Sequence, residues 1–216
     1  QAGYFQYGNY LYVFGGTGRL ALDNVIYKYS MFDSVWSQPS TSGTAPSGAL
    51  EGPSVAMVDA TVFVYGGRSV GTFKSDLYTF DCTSDTWTGP ISASRPSARF
   101  HSQMISVGGM LFMGLSGYTG EATGPQNDLW AIDHLSGTPV FSPLSSSSAS
   151  QGDMRPQQFG KTASGADRHG NIWMIGGSTS TSTSGELWKL ESPLVSISNA
   201  INHTTIGTAE NPPASS

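Results

Sequence analysis

Residues 61–87 read TVFVYGGRSVGTFKSDLYTFDCTSDTW, and the punctuation of this stretch decides the fold. Val62 to Tyr65 is a short apolar and aromatic run that stops at Gly66-Gly67, as a strand does where the chain must turn. A loop follows. Asp76-Leu77-Tyr78-Thr79-Phe80-Asp81 then alternates polar and apolar residues with a period of two, the pattern of a half-buried strand. Thr83-Ser84-Asp85 supplies turn-forming side chains before Trp87 opens a further strand.

Approximate copies of this stretch recur along the chain. Diglycine or its equivalent stands at Gly15-Gly16, Gly66-Gly67, Ser116-Gly117 and Gly176-Gly177, at steps of 51, 50 and 60 residues. An aromatic follows each: Tyr27, Tyr78, Trp130 and Trp188 lie 11, 11, 13 and 11 residues beyond the second glycine. Trp36 and Trp87 come nine residues after that aromatic, Phe141 eleven after it, and the fourth copy has no such residue. At these positions the sequence resembles the kelch repeat, a unit of roughly 50 residues whose four antiparallel strands make one blade of a β-propeller. The resemblance covers approximately Tyr4 to Glu191. Copy one departs from it with Val25 where the others carry Asp76, Asp128 and Glu186, and copy three with Ser116 for glycine.

The expectation is an all-β chain: a β-propeller of kelch-type four-stranded blades, about four present and the last incomplete, belonging to a larger propeller. The blades fall at about 1–38, 46–90, 95–143 and 155–191, and 192–216 reads as a Ser- and Pro-containing linker or tail. Inner strands are expected at Gly3 to Tyr7, Ser54 to Val58, Arg99 to Val107 and Lys161 to Ala166. Were the array to close by itself, the N-terminal strand would complete blade four. Blades pack face to face, so the landmark aromatics are expected to point into the interfaces, each burying about 150 to 250 Å². Asp81, Asp133 and Glu191 follow third strands and are expected to cap turns.

Composition bounds the function. Charged residues make up 12% of 216 and the formal net charge is -5. Ten Lys and Arg spread over the whole length do not form the clustered cationic surface that nucleic acid requires. No run approaches the roughly 18 consecutive apolar residues of a membrane span. The single cysteine, Cys82, allows no disulfide within the chain and sits where packing is the expected role. Low charge, abundant Ser and Thr and the sequon Asn202-His203-Thr204 lean towards an extracellular setting.

Two motifs match enzymes by letter and fail by context. Gly67-Arg68-Ser69-Val70-Gly71 fits the nucleophile elbow, with Asp128 and His169 downstream in a permissible order, but the elbow must lead into a helix and here a strand follows. Gly16-Thr17-Gly18-Arg19-Leu20-Ala21 fits the dinucleotide fingerprint, but no βαβ unit fits after it. The four histidines are dispersed. Only His101, beside Arg99, is placed near the channel, as a hydrogen-bonded core residue before a metal ligand. Neither catalytic residues, a cofactor nor a metal is expected.

In a four-stranded meander the loops joining strands two and three emerge at the same end as the crossings between blades, and such loops carry most binding residues. Arg19, Arg68, Arg95, Arg99, Arg155 and Tyr118 are the large pairing side chains on or beside them. The resemblance implies a non-enzymatic scaffold that binds a protein partner through this face. The alternatives it leaves open are a galactose-oxidase-like or other carbohydrate-handling propeller, or a structural module of a larger cell-surface protein. For the copper oxidases Cys82 offers no match to a cross-linked tyrosine.

Overall fold

The computed structural model describes residues 2–16, 25–92, 95–114, 116–120, 125–135, 137–145, 160–178 and 182–191. Its first sheet, blade one, is a meander of β1 (Gly3–Tyr7), β2 (Tyr10–Phe14), β3 (Ile26–Ser30) and β4 (Val35–Ser37), paired in that order. Each strand is five residues or fewer, and β1 and β2 alternate in burial, Gly3, Phe5, Tyr12 and Phe14 turning to one side with Ile26 of β3, whereas β4 is exposed throughout. Blade two holds β6 (Ser54–Val58), β7 (Thr61–Tyr65), β10 (Leu77–Asp81) and β11 (Thr86–Ile91).

Blade three is β12 (Gln103–Val107), β13 (Met110–Gly114), β14 (Leu129–Asp133) and β15 (Val140–Ser145). Gly108 and Gly109 both take positive φ between β12 and β13, which a two-residue hairpin turn of the right twist demands. Blade four has three strands, β16 (Ala163–Ala166), β17 (Ile172–Ile175) and β18 (Leu187–Leu190). The result is an all-β, four-bladed propeller array with no helix among the described residues.

Three apolar clusters lie between successive blades, one against two, two against three and three against four. The diglycines explain how neighbours are pinned. The Gly16 and Gly67 N–H groups donate to Leu50 O and Arg99 O at 2.7 and 2.8 Å, reaching the chain that enters the next blade. A Cβ on Gly66 would stand 2.5 Å from the Arg99 carbonyl oxygen, so the approach admits only glycine. In blade three the positive φ falls on Gly114 and Gly117, and Ser116 replaces a glycine without having to adopt it.

Several details differ from the sequence reading. The crossing loop after blade one contains β5 (Ser42–Gly43), which adds in parallel to β11 and covers the outer edge of blade two. The loop after Gly67 folds into a two-stranded hairpin of β8 (Arg68–Ser69) and β9 (Thr72–Phe73). Blade three's inner strand begins at Gln103 and not Arg99, because His101 adopts φ 55° and breaks the extended run. The inner strand of blade four likewise starts at Ala163 and not Lys161, whose φ is 59°. β1 pairs with β2 inside blade one, so it does not complete blade four.

The landmark aromatics also divide. Trp87 is 3% exposed between Phe14 and Phe80, whereas Trp36 is 54% exposed and touches Tyr29. The expectation that every such residue is buried is corrected for blade one: each landmark face packs on the preceding blade, and no blade precedes it among the described residues. Asp81 and Asp133 do hold turns, accepting from the N–H groups of Thr83 at 2.7 Å and Leu135 at 2.9 Å. Glu191 pairs with Lys189 at 2.9 Å, and the turn it was expected to cap lies outside the described residues.

Candidate functional site: the loop-bearing face and its axial cavity

Ser54 pairs with Tyr65 and Gln103 with Gly114, so inner strands begin where second strands end. The residues just before each inner strand therefore meet at the end that also carries the β2–β3 type of loop. There they enclose a cavity of about 380 Å³ whose wall includes Gly3, Pro53, His101, Gln103, Lys161 and Thr162. The Gln103 amide donates to Thr162 O at 2.7 Å and accepts from Ser164 Oγ at 2.9 Å, tying blade three to blade four. Thr162 Oγ1 is buried in this wall and finds no hydrogen-bond partner among the described residues.

His101 is buried, with Nε2 3.8 Å from Glu51 Oε1. Burial pushes its pKa down to about 4, Lys161 and Arg68 adding to the effect and Glu51 opposing it. The imidazole is accordingly neutral at pH 7. This sets a pH dependence of stability. Above about pH 6.5 neither the folded nor the unfolded chain binds the proton. As the pH falls from 6.5 to 4 the unfolded chain takes it up and the fold does not, so stability drops by about 3 kcal/mol and then levels. Denaturant titrations at stepped pH should show that drop, and His101→Gln should reduce it; an undiminished slope in the variant would assign it to carboxylates alone.

The arginines named from the sequence separate by environment. Arg99 is 1% exposed, its guanidinium paired in two places to Asp128 at 2.6 and 2.7 Å and bonded to Ser97. It is a group of the interior, its counter-charge supplied by Asp128, the residue that precedes β14. Burial alone would raise the Asp128 carboxyl, but Arg99 and the Trp130 indole outweigh it and hold it below the ordinary carboxylate range.

Arg68 pairs with Glu51 at 2.6 Å and lies over the Phe100 ring at 4.9 Å, clamping the β8–β9 hairpin to the crossing from blade one. Arg95 is half-buried, 3.4 Å from Asp76. Tyr118 rests against Phe100, its hydroxyl donating to Ser178 O, with Gly160 directly beneath its ring. Arg19, Arg155 and Asn202 lie outside the described residues.

Sequence reasoning missed Val70. It is the tip of the β8–β9 hairpin, 89% exposed, with φ 46°. A β-branched residue in the left-handed region is an outlier, and with Gly71 at φ 77° it forms the two-residue turn of the hairpin. The signal lay in Ser69-Val70-Gly71-Thr72, a potential turn flanked by β-formers. Ser69 is a buried strand residue of the same hairpin. His169 sits in the turn between β16 and β17 at the opposite end of the array, organised by the Asp167 carboxylate, so Ser69, Asp128 and His169 do not converge. Cys82 is buried in the first interblade cluster, and burial pushes its thiol up to about 12. Among the described residues no group of three or more His, Cys, Asp or Glu could hold a metal ion.

Meander blades set side by side about an axis, with the irregular loops gathered around a polar cavity at one end, define a kelch-type β-propeller. The family model described as the KLHDC2/KLHL20/DRC7 Kelch-repeats domain matches residues 2–194, and the chain belongs to the kelch-repeat family. It is 32% identical over 113 residues to mouse Rab9 effector protein with kelch motifs, covering 50% of this chain and 30% of that one. It is also 32% identical over 83 residues to bovine Kelch domain-containing protein 3, covering 37% and 22%. Rat Kelch domain-containing protein 10 matches at 27% over 120 residues, covering 50% and 28%. These matches span less than a third of each relative's length.

Proposed function

We propose that this chain is a non-enzymatic interaction module that binds a protein segment on its loop-bearing face, with the β8–β9 hairpin as the anchor. Val70 carries the reading. A valine held at positive φ and exposed to solvent costs about 1 to 2 kcal/mol that glycine would avoid, and such strain persists where a site uses it. Membership of a family made largely of interaction modules supports the same reading. Arg68 of the hairpin, Arg95 and Tyr118 are candidate contacts, and Arg19 and Arg155, which lie outside the described residues, remain candidates on the sequence alone.

The test is a displayed peptide library panned on the chain. Peptides enriched on it should lose at least about tenfold in affinity to Val70→Gly and to Arg95→Glu, in keeping with loss of an anchor. Val70→Gly relieves the backbone, so its Tm should be unchanged or higher. Enriched peptides indifferent to both substitutions would move binding away from this face.

A further inference from the structure

The β8–β9 hairpin has two register pairs, Arg68 with Phe73 and Ser69 with Thr72, too few for a hairpin to hold its shape in water by itself. Its order comes from what it is seated on. At the root, the Glu51 N–H donates to Arg68 O at 2.8 Å, the Arg68 N–H to Glu51 O at 2.9 Å and the Lys74 N–H to Gly67 O at 2.9 Å. Beyond these backbone bonds, Arg68 Nε and Nη2 both donate to Glu51 Oε2, at 2.9 and 2.6 Å. The Arg68 guanidinium lies over the Phe100 ring, and the Phe73 ring meets that same ring edge-on with centroids 5.2 Å apart. Glu51 stands on the chain entering blade two and Phe100 on the chain entering blade three, so two successive crossings hold the hairpin between them.

The repeat separates what a blade needs from what the hairpin needs. Shortly before each inner strand, one residue bridges the residue that follows the glycine landmark: Glu51 with Arg68, Phe100 with Tyr118 and Gly160 with Ser178. The side chains at this bridge are an ion pair in blade two, two aromatic rings in blade three, and a glycine opposite a serine in blade four. The backbone pairing forms with any of them, so the fold of a blade does not require the ion pair. Among the described residues the ion pair stands at the bridge only where a hairpin follows it.

We propose that Glu51 is a positioning residue of the loop-bearing face: through Arg68, and with Phe100 against the hairpin, it fixes the direction in which Val70 is presented to a partner. The proposal rests on the hairpin being the anchor. An anchor that is already ordered spares the complex the cost of ordering it, and freeing the side chains that hold it takes that gain away. On this assignment Arg68 serves by holding the hairpin and not by meeting the partner.

The peptides enriched by panning are titrated against the native chain, Glu51→Gln, Arg68→Gln and the exchanged pair Glu51→Arg with Arg68→Glu. Each single variant should bind about three- to tenfold more weakly, the range expected for freeing one or two side chains, and the exchanged pair should regain most of the affinity. All three should melt within about 4 °C of the native chain, because a half-buried ion pair adds little to stability. Amide exchange measured without any peptide should quicken over residues 69–74 in Glu51→Gln and slow again in the exchanged pair. Weaker binding by Arg68→Gln alone, or an exchanged pair that regains nothing, would make Arg68 a direct contact and overturn the proposal, as would unaltered exchange in Glu51→Gln. Peptides that respond to Val70→Gly but not to Glu51→Gln remove the positioning role and leave the anchor standing. Peptides indifferent to Val70→Gly remove the anchor, and the proposal with it.

Discussion

Asp128→Ala is expected to destabilise the chain by about 3 to 5 kcal/mol, the cost of leaving a buried charge without its partner. Among the described residues Arg99 would keep only its bonds to Ser97, and the Trp130 indole would lose the acceptor it reaches at 2.7 Å. In a domain of this size that lowers Tm by roughly 6 to 20 °C. The apolar double variant Arg99→Met with Asp128→Leu should recover most of the loss, because neither desolvated group then remains. Calorimetric melts of the three variants decide it. A loss under about 1 kcal/mol for Asp128→Ala would mean that water reaches the pair.

Trp87→Ala and Trp36→Ala should differ by several kcal/mol although the two residues occupy the same place in their repeats. Trp87 fills the space between Phe14 and Phe80, and its removal opens a cavity costing about 3 to 5 kcal/mol. Trp36 meets Tyr29 at the edge of blade one, and truncating it in dilute solution should cost less than about 1 kcal/mol. Urea titrations at low protein concentration measure both. Equal costs would show that the landmark face of blade one is covered after all.

The repeat was legible because blade geometry needs the same residues at the same places. Short alternating strands end on glycine where the space a Cβ on Gly66 would need is already taken by Arg99 O, and the aromatic of the third strand recurs because each interface needs a wide apolar side chain. The candidate site was less legible. Arg99 and Arg95 look alike in the sequence, and only the approach of Asp128, 29 residues away at the entrance to β14, turns one of them into a core residue. Val70 passed unnoticed because a short hairpin inside a loop leaves no period to detect, and its exposure depends on how Arg68 and Phe73 seat against Phe100.

The local pattern by itself determined the main strands of the four blades, most of their turns and which residues form the two faces of each sheet, though not β5 or the β8–β9 hairpin, since the former follow from alternation and backbone sterics within some 50 residues. What the tertiary structure decided is which of those faces are covered. Trp36 and Trp87 carry the same local signal, but burial is a property of the neighbour, and only the packed array shows that one tryptophan has a blade against it and the other has solvent.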